Sequence, residues 1–151
     1  MPFIEHQQFI KAPIDVCFDL ARNVTIHALT ASKTKERVVG GVMEGQLELG
    51  DRVIWEAIHF GIKQRLTAQV TLMERPYKFQ DEMVKGAFHS FIHTHEFKEV
   101  KGGTLMLDLF EYKSPLGYLG VLADILFLKK YMKSFIATRA NELKKIAETM
   151  V

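Results

Sequence analysis

Cysteine is almost missing from this chain: Cys17 is alone, so no intramolecular disulfide can form, and a reducing compartment fits. Proline is scarce, at Pro2, Pro13, Pro76 and Pro115, and after Gly120 neither proline nor glycine occurs again. Charge of one sign is also lacking. Lys and Arg number 20 against 18 Asp and Glu, a net charge of +2. The lysines are scattered outside the C-terminal segment, so the clustered basic face of a nucleic-acid binder is missing and no nucleic acid is expected as a partner. The longest apolar run, Leu116 to Leu128, has 13 residues, short of the roughly 20 that cross a bilayer, so no stable membrane insertion is expected. The N-terminal MPFIEHQQ has no charged region followed by an apolar one, which speaks against a secretory signal and for a cytoplasmic setting. Nucleophile-elbow, phosphate-loop and dinucleotide fingerprints are all missing. So are repeats and low-complexity linkers, and a single domain over residues 1–151 is expected.

What is present changes period along the chain. Phe3 to Ile10 reads as a first strand. Ile14, Cys17, Phe18 and Ala21 fall at helical spacing, and a second short helix follows near Thr25, the expected cap. From Glu36 the period becomes two. The segments Arg52–Phe60, Lys63–Glu74, Lys78–Val84, Phe88–Glu99 and Thr104–Tyr112 are rich in β-branched and aromatic residues. Short breaks between them predict antiparallel hairpins, since parallel neighbours need long crossovers. From about Gly117 to the C-terminus one long helix is predicted, with a striped second half (Met132, Phe135, Ile136, Leu143, Ile146). The order predicts an α+β fold: a curved antiparallel sheet of about seven strands, two short helices between strands 1 and 2, and a long C-terminal helix across one face.

Five segments carry a family resemblance: FIKAPIDVCFDL, GDRVIWEAIHFG, FQDEMVKGAFHSFIHTHEF, GGTLMLDLFEY and SPLGYLGVLADILFLKKYM. Over essentially the whole length the chain resembles the SRPBCC superfamily, the START, polyketide cyclase/dehydratase and pollen-allergen-like group, and within it an uncharacterised bacterial subgroup. The resemblance implies the helix-grip fold, a sheet wrapped around the C-terminal helix. Its functional implication is wide, covering carriers, cyclases and hydrolase-type activators, because fold alone does not set activity.

Alternation assigns faces. His89, Phe91, His93, His95 and Phe97 share one side of their strand, so His93 and His95 would converge on a hollow between sheet and helix. A His-x-His pair can ligate a metal given a third donor, for which His59, Glu82 and Asp108 are candidates. The spacing is equally that of histidines hydrogen-bonded on a half-buried sheet, and neither metal nor cofactor is expected from it. As acid–base groups, His93 or His95 would be the base and Glu82 or Asp108 the acid or orienter. Among Glu56, Asp81, Glu82, Asp108 and Glu111, two carboxylates meeting in the hollow would raise one pKa, with Arg65 and Arg139 as counter-ions. Trp55, Ala57 and His59 share a face opposite Phe60, so Trp55 and Phe60 are not both expected to point inward.

Three classes of function stay open. The leading one is binding of a small hydrophobic molecule, aromatic, lipid-like or polyketide-like. Its expected lining is Trp55, His59, Phe60, Phe91, His93, His95, Phe97 and Phe110 from the sheet, and Leu122, Ile125, Phe135 and Arg139 from the helix. The second is a cyclase-, dehydratase- or hydrolase-type enzyme. The third is an interaction module, a homodimer paired through exposed edge strands.

Overall fold

The computed structural model describes residues 3–150; the ends of the expected domain, residues 1, 2 and 151, lie outside them. Strand β1 (Phe3–Ile10) leads into helices α1 (Ile14–Ala21) and α2 (Val24–Thr30). Six more strands follow: β2 (Arg37–Gly41), β3 (Arg52–His59), β4 (Ile62–Glu74), β5 (Lys78–Lys85), β6 (Ser90–Val100) and β7 (Gly103–Lys113). The sheet is antiparallel with order β1-β7-β6-β5-β4-β3-β2. Consecutive strands from β2 to β7 are neighbours because their connections are too short for anything else. Helix α2 is capped by Asn23, whose side chain accepts from the Ile26 N–H at 3.0 Å, not by Thr25. Both residue types cap well, and Asn23 takes the position because its backbone is still extended.

The C-terminal segment is helical throughout but not one regular rod. Helix α3 (Tyr118–Ala123) passes through a π-helical turn (Asp124–Leu128) into α4 (Lys129–Thr149). Tyr112 Oη donates to Asp124 Oδ1 at 2.8 Å, and Ser114 Oγ donates to Asp124 Oδ2. These bonds tie the first π residue to the end of β7. An inserted residue in a helix is a common mark of such a local constraint. Gly120 permits the close approach: a Cβ there would lie 1.9 Å from the Pro115 carbonyl oxygen.

Helix α4 places Ile136, Ala140, Leu143 and Ala147 on its buried stripe, with Lys129, Lys130 and Lys133 in solvent. It packs on β1, α1 and α2. One core cluster, around Phe18, Phe79, Phe97, Met106 and Leu143, fills the end of the grip where α1 and α4 meet the sheet. Phe18 is wholly buried and meets Phe79 and Phe97 edge-on at 5.4 Å, the geometry that ring quadrupoles favour. Cys17 is buried beside it, and burial raises its thiol pKa, so it is a packing residue and not a nucleophile. A second cluster around Phe91, Phe110, Tyr112 and Ile136 lies further along α4. Between sheet and helix a space stays open.

Candidate functional site

The open space is a cavity of about 270 Å³, walled mainly by β3 to β7 and roofed by α4. Trp55, His59 and Phe60 line it from one side, Phe91, His93, His95 and Phe110 from the floor, and Phe135 and Arg139 from the roof. Trp55 and Phe60 both reach it, against the alternation argument. Phe60 is no longer in the strand: with Gly61 it forms the two-residue turn between β3 and β4, at φ 53° and 74°. Both residues therefore have the positive φ of a primed hairpin turn. A phenylalanine in that conformation is costly. Its ring packs on Tyr131 (4.4 Å between centroids) and Phe127 (5.5 Å) at the rim.

Four expected site residues are elsewhere. Phe97 belongs to the solid core with Phe18. Glu82 sits on the other face of β5 from Asp81, because neighbouring residues of a strand point to opposite faces. Leu122 and Ile125 are 53% and 77% exposed; the bonds holding Asp124 to Tyr112 and Ser114 turn this part of the segment outward. Leu122 and Ile125 are thus not part of the lining expected of them. Glu56 pairs with Arg37 and Arg65 at 2.7 and 3.0 Å on the outer face, which removes Arg65 from the interior.

Strand register assembles the polar floor. Across β5, β6 and β7, Asp81, His93 and Phe110 form one row, and Phe79, His95 and Asp108 the next. Contacts then run diagonally, within reach of side chains this long. His93 Nε2 donates to Asp108 Oδ1 at 3.0 Å and His95 Nε2 to Asp81 Oδ1 at 3.1 Å. His95 Nδ1 is also 3.1 Å from Asp108 Oδ1. The two imidazoles stack at 3.9 Å, and Phe79 stacks on the other side of His95 at 4.2 Å. Burial by itself would lower the His95 pKa, but hydrogen bonds to Asp108 and Asp81 outweigh it and raise it to about 9. His93 is lowered, by burial and then by the charge of His95. Burial pushes both aspartates up, yet the histidine contacts win and hold both below their ordinary range. Two carboxylates do meet here, with the opposite pKa consequence from that expected of a bare pair, because imidazoles stand between them.

A second polar group hangs from the roof. Arg139 Nη2 donates to His27 Nδ1 at 2.6 Å. His27 Nε2 lies 2.6 Å from Glu36 Oε1, and the ring stacks on Trp55 at 4.1 Å. Glu36 Oε1 is in charge contact without an aligned hydrogen bond, and Arg139 Nε is buried with no partner. The His27 pKa is lowered by burial and then by the Arg139 charge. Glu36 is lowered despite its burial, chiefly by His27. At the rim His59 Nδ1 is 2.5 Å from Tyr131 Oη, and burial lowers the His59 pKa.

His27, Glu36 and Tyr131 are cavity residues that the sequence reading did not place there, and Asp81 was one of five carboxylates weighed for the hollow without being singled out. For Asp81 the signal existed, since alternation counted from Phe79 puts Asp81 inside. His27 and Glu36 meet through the turn from α2 to β2, which no periodicity reports.

Solved structures share the fold. TTHA0849 of Thermus thermophilus is 19% identical, with 99% of each chain covered and a TM-score of 0.81. Major latex-like protein 151 of Panax ginseng is 12% identical over 97% of each chain, at 0.72. CV1439 of Chromobacterium violaceum is 11% identical, covering 97% of this chain and 96% of its own, at 0.73. At these identities the likeness establishes the fold. No family model and no curated protein matches the chain.

Proposed function

We propose that this helix-grip chain binds a small, largely apolar molecule in the cavity under α4. The observation that carries the reading is the cavity itself: about 270 Å³ lined mainly by apolar and aromatic side chains, with a polar floor of Asp81, His93 and His95, a polar roof group of His27, Glu36 and Arg139, and the His59–Tyr131 pair at the rim. Small-molecule sites have this composition, at volumes from roughly 300 Å³ upward, so a compact ring system suits this one better than a long acyl chain. Phe91, Phe110 and Phe135 supply apolar walls. Arg139 Nε and Glu36 Oε1 are buried polar atoms without aligned partners; a bound hydroxyl or carbonyl oxygen would accept from the first, and a hydroxyl or amide N–H would donate to the second.

Displacement of an environment-sensitive apolar dye, read together with Trp55 emission, tests this. Trp55 is the sole tryptophan and lines the cavity. Saturable dye binding that is weakened by Phe91→Trp, which fills the space, is the expected result. Dye binding unchanged by that substitution would place the dye on the surface and sink the reading. Among the described residues no helix is long and apolar enough to cross a membrane.

A further inference from the structure

We propose that Asp81, His93 and His95 form a site for a divalent first-row transition metal of the Zn²⁺ or Fe²⁺ kind, with Asp108 orienting both histidines from behind. One donor atom from each of Asp81, His93 and His95 lies within 4.8 Å of the others. Donors at 2.0–2.2 Å from one ion stand about 3–4 Å apart, so a small inward movement closes the set. Cavity geometry divides the four residues in the same way. Asp81, His93 and His95 all line the large cavity, whereas Asp108 is not in its lining and borders an adjoining void of about 30 Å³ that His93 and His95 also border.

Hydrogen placement agrees. Asp108 Oδ1 lies against His93 Nε2 and His95 Nδ1, and a carboxylate there favours N–H on both atoms. Each ring then keeps its other nitrogen for a lone pair. In the metal-free protein, His95 Nε2 must carry a proton to bond Asp81 at 3.1 Å; a metal ion would replace that proton. A carboxylate behind a ligating imidazole is the usual means of fixing its tautomer and orientation.

Ion pairing points the same way. Among the described residues the ion-pair partners of Asp81 and Asp108 are His93 and His95, with no Lys or Arg, so two neighbouring carboxylates have no fixed cation beside them, and a divalent ion would supply that charge. Two imidazoles and one carboxylate select a borderline transition metal over Ca²⁺ or Mg²⁺, and three protein ligands leave a coordination position open toward the cavity. Asp81 was not among the third ligands weighed from sequence; the β5–β6 register brings it there. Metal capture at these residues does not depend on the cavity binding an apolar molecule.

The test uses full-length protein without a histidine tag, stripped with chelator. Zn²⁺ is titrated by calorimetry and Co²⁺ by visible absorption. The expected result is one equivalent bound at micromolar or tighter affinity, with Co²⁺ bands of a low-symmetry nitrogen–oxygen site. Asp81→Asn and His95→Gln should each weaken binding by about 100-fold or more, Asp108→Asn by about 10- to 100-fold, and exposed His89→Gln not at all. Absence of an equivalent of bound metal in the wild type overturns the proposal, a result that stands even if a variant fails to fold. So does binding that survives Asp81→Asn unchanged in a folded variant. Metal binding without dye binding would keep this proposal and remove the reading of the preceding subsection.

Discussion

Arg139→Met removes the cation of the roof cluster while keeping its length. Only 7% of the Glu36 side chain is exposed, and its nearest contact is His27. With Arg139 present, His27 stays neutral and accepts the arginine N–H. Without it, Glu36 is a buried carboxylate facing a neutral ring. Breaking a buried ion pair by deleting one partner costs about 3–5 kcal/mol. Because a ring separates the two charges here and the cavity lies alongside, the lower figure of about 3 kcal/mol applies at pH 8. The deficit should depend on pH, and the sign follows from His27. In the wild type its folded pKa is depressed, so folding stability falls as pH drops below the unfolded value of about 6.5, by about 1.4 kcal/mol per unit while the ring stays neutral. In the variant the repelling charge is gone and Glu36 attracts a proton onto the ring. That loss therefore lessens, burial of the ring remaining, and at pH 5.5 the deficit should be smaller by up to about 1.4 kcal/mol. Urea unfolding followed by far-UV circular dichroism at the two pH values measures this. A deficit of the same size at both, or none at either, refutes the account of the His27–Glu36–Arg139 cluster.

Phe60→Asn should relieve about 1 kcal/mol of positive-φ strain and lose a similar amount of aromatic contact with Tyr131 and Phe127. The melting temperature should barely move while dye exchange, by stopped flow, becomes faster; slower exchange would contradict a rim position for this ring. Gly120→Ala drives a Cβ into the Pro115 carbonyl and should cost about 1–3 kcal/mol, read as a lower urea midpoint. Phe18→Ala empties the centre of the solid cluster and should cost about 3–5 kcal/mol, leaving dye affinity at its wild-type value in protein that remains folded.

Much of this fold can be read from the chain, and the reasons are local. Two-fold alternation interrupted by Gly-containing breaks admits few layouts other than a meander, and a long stretch without Gly or Pro admits few alternatives to a helix. Faces were legible for β6, where Phe91, His93, His95 and Phe97 alternate with Ile92, Thr94 and Glu96. On β5 alternation counted from Phe79 points Asp81 inward, but Asp81 and Glu82 are adjacent acids in a short strand, and a one-residue error exchanges the faces. The exposure of Leu122 and Ile125 ran against composition because Asp124, one residue in an apolar run, is bonded to both Tyr112 and Ser114. Phe60 was misassigned because strand periodicity stops at His59, and a turn obeys its own rules.

The strand order has a consequence for how the chain gets there. Strands β1 and β2 are neighbours in sequence apart from two short helices, yet they occupy opposite edges of the sheet. The space under α4 lies between these edges and has no complete wall until β3 to β7 have paired, α2 has brought His27 beneath the roof, and the last helix has docked. Any guest that enters it recognises the finished cavity and no earlier species. By mass action such a guest adds about 2.7 kcal/mol to the folded state at 100 times its dissociation constant. Topology makes occupancy a late event in folding and a clasp on α2, the sheet and the last helix at once.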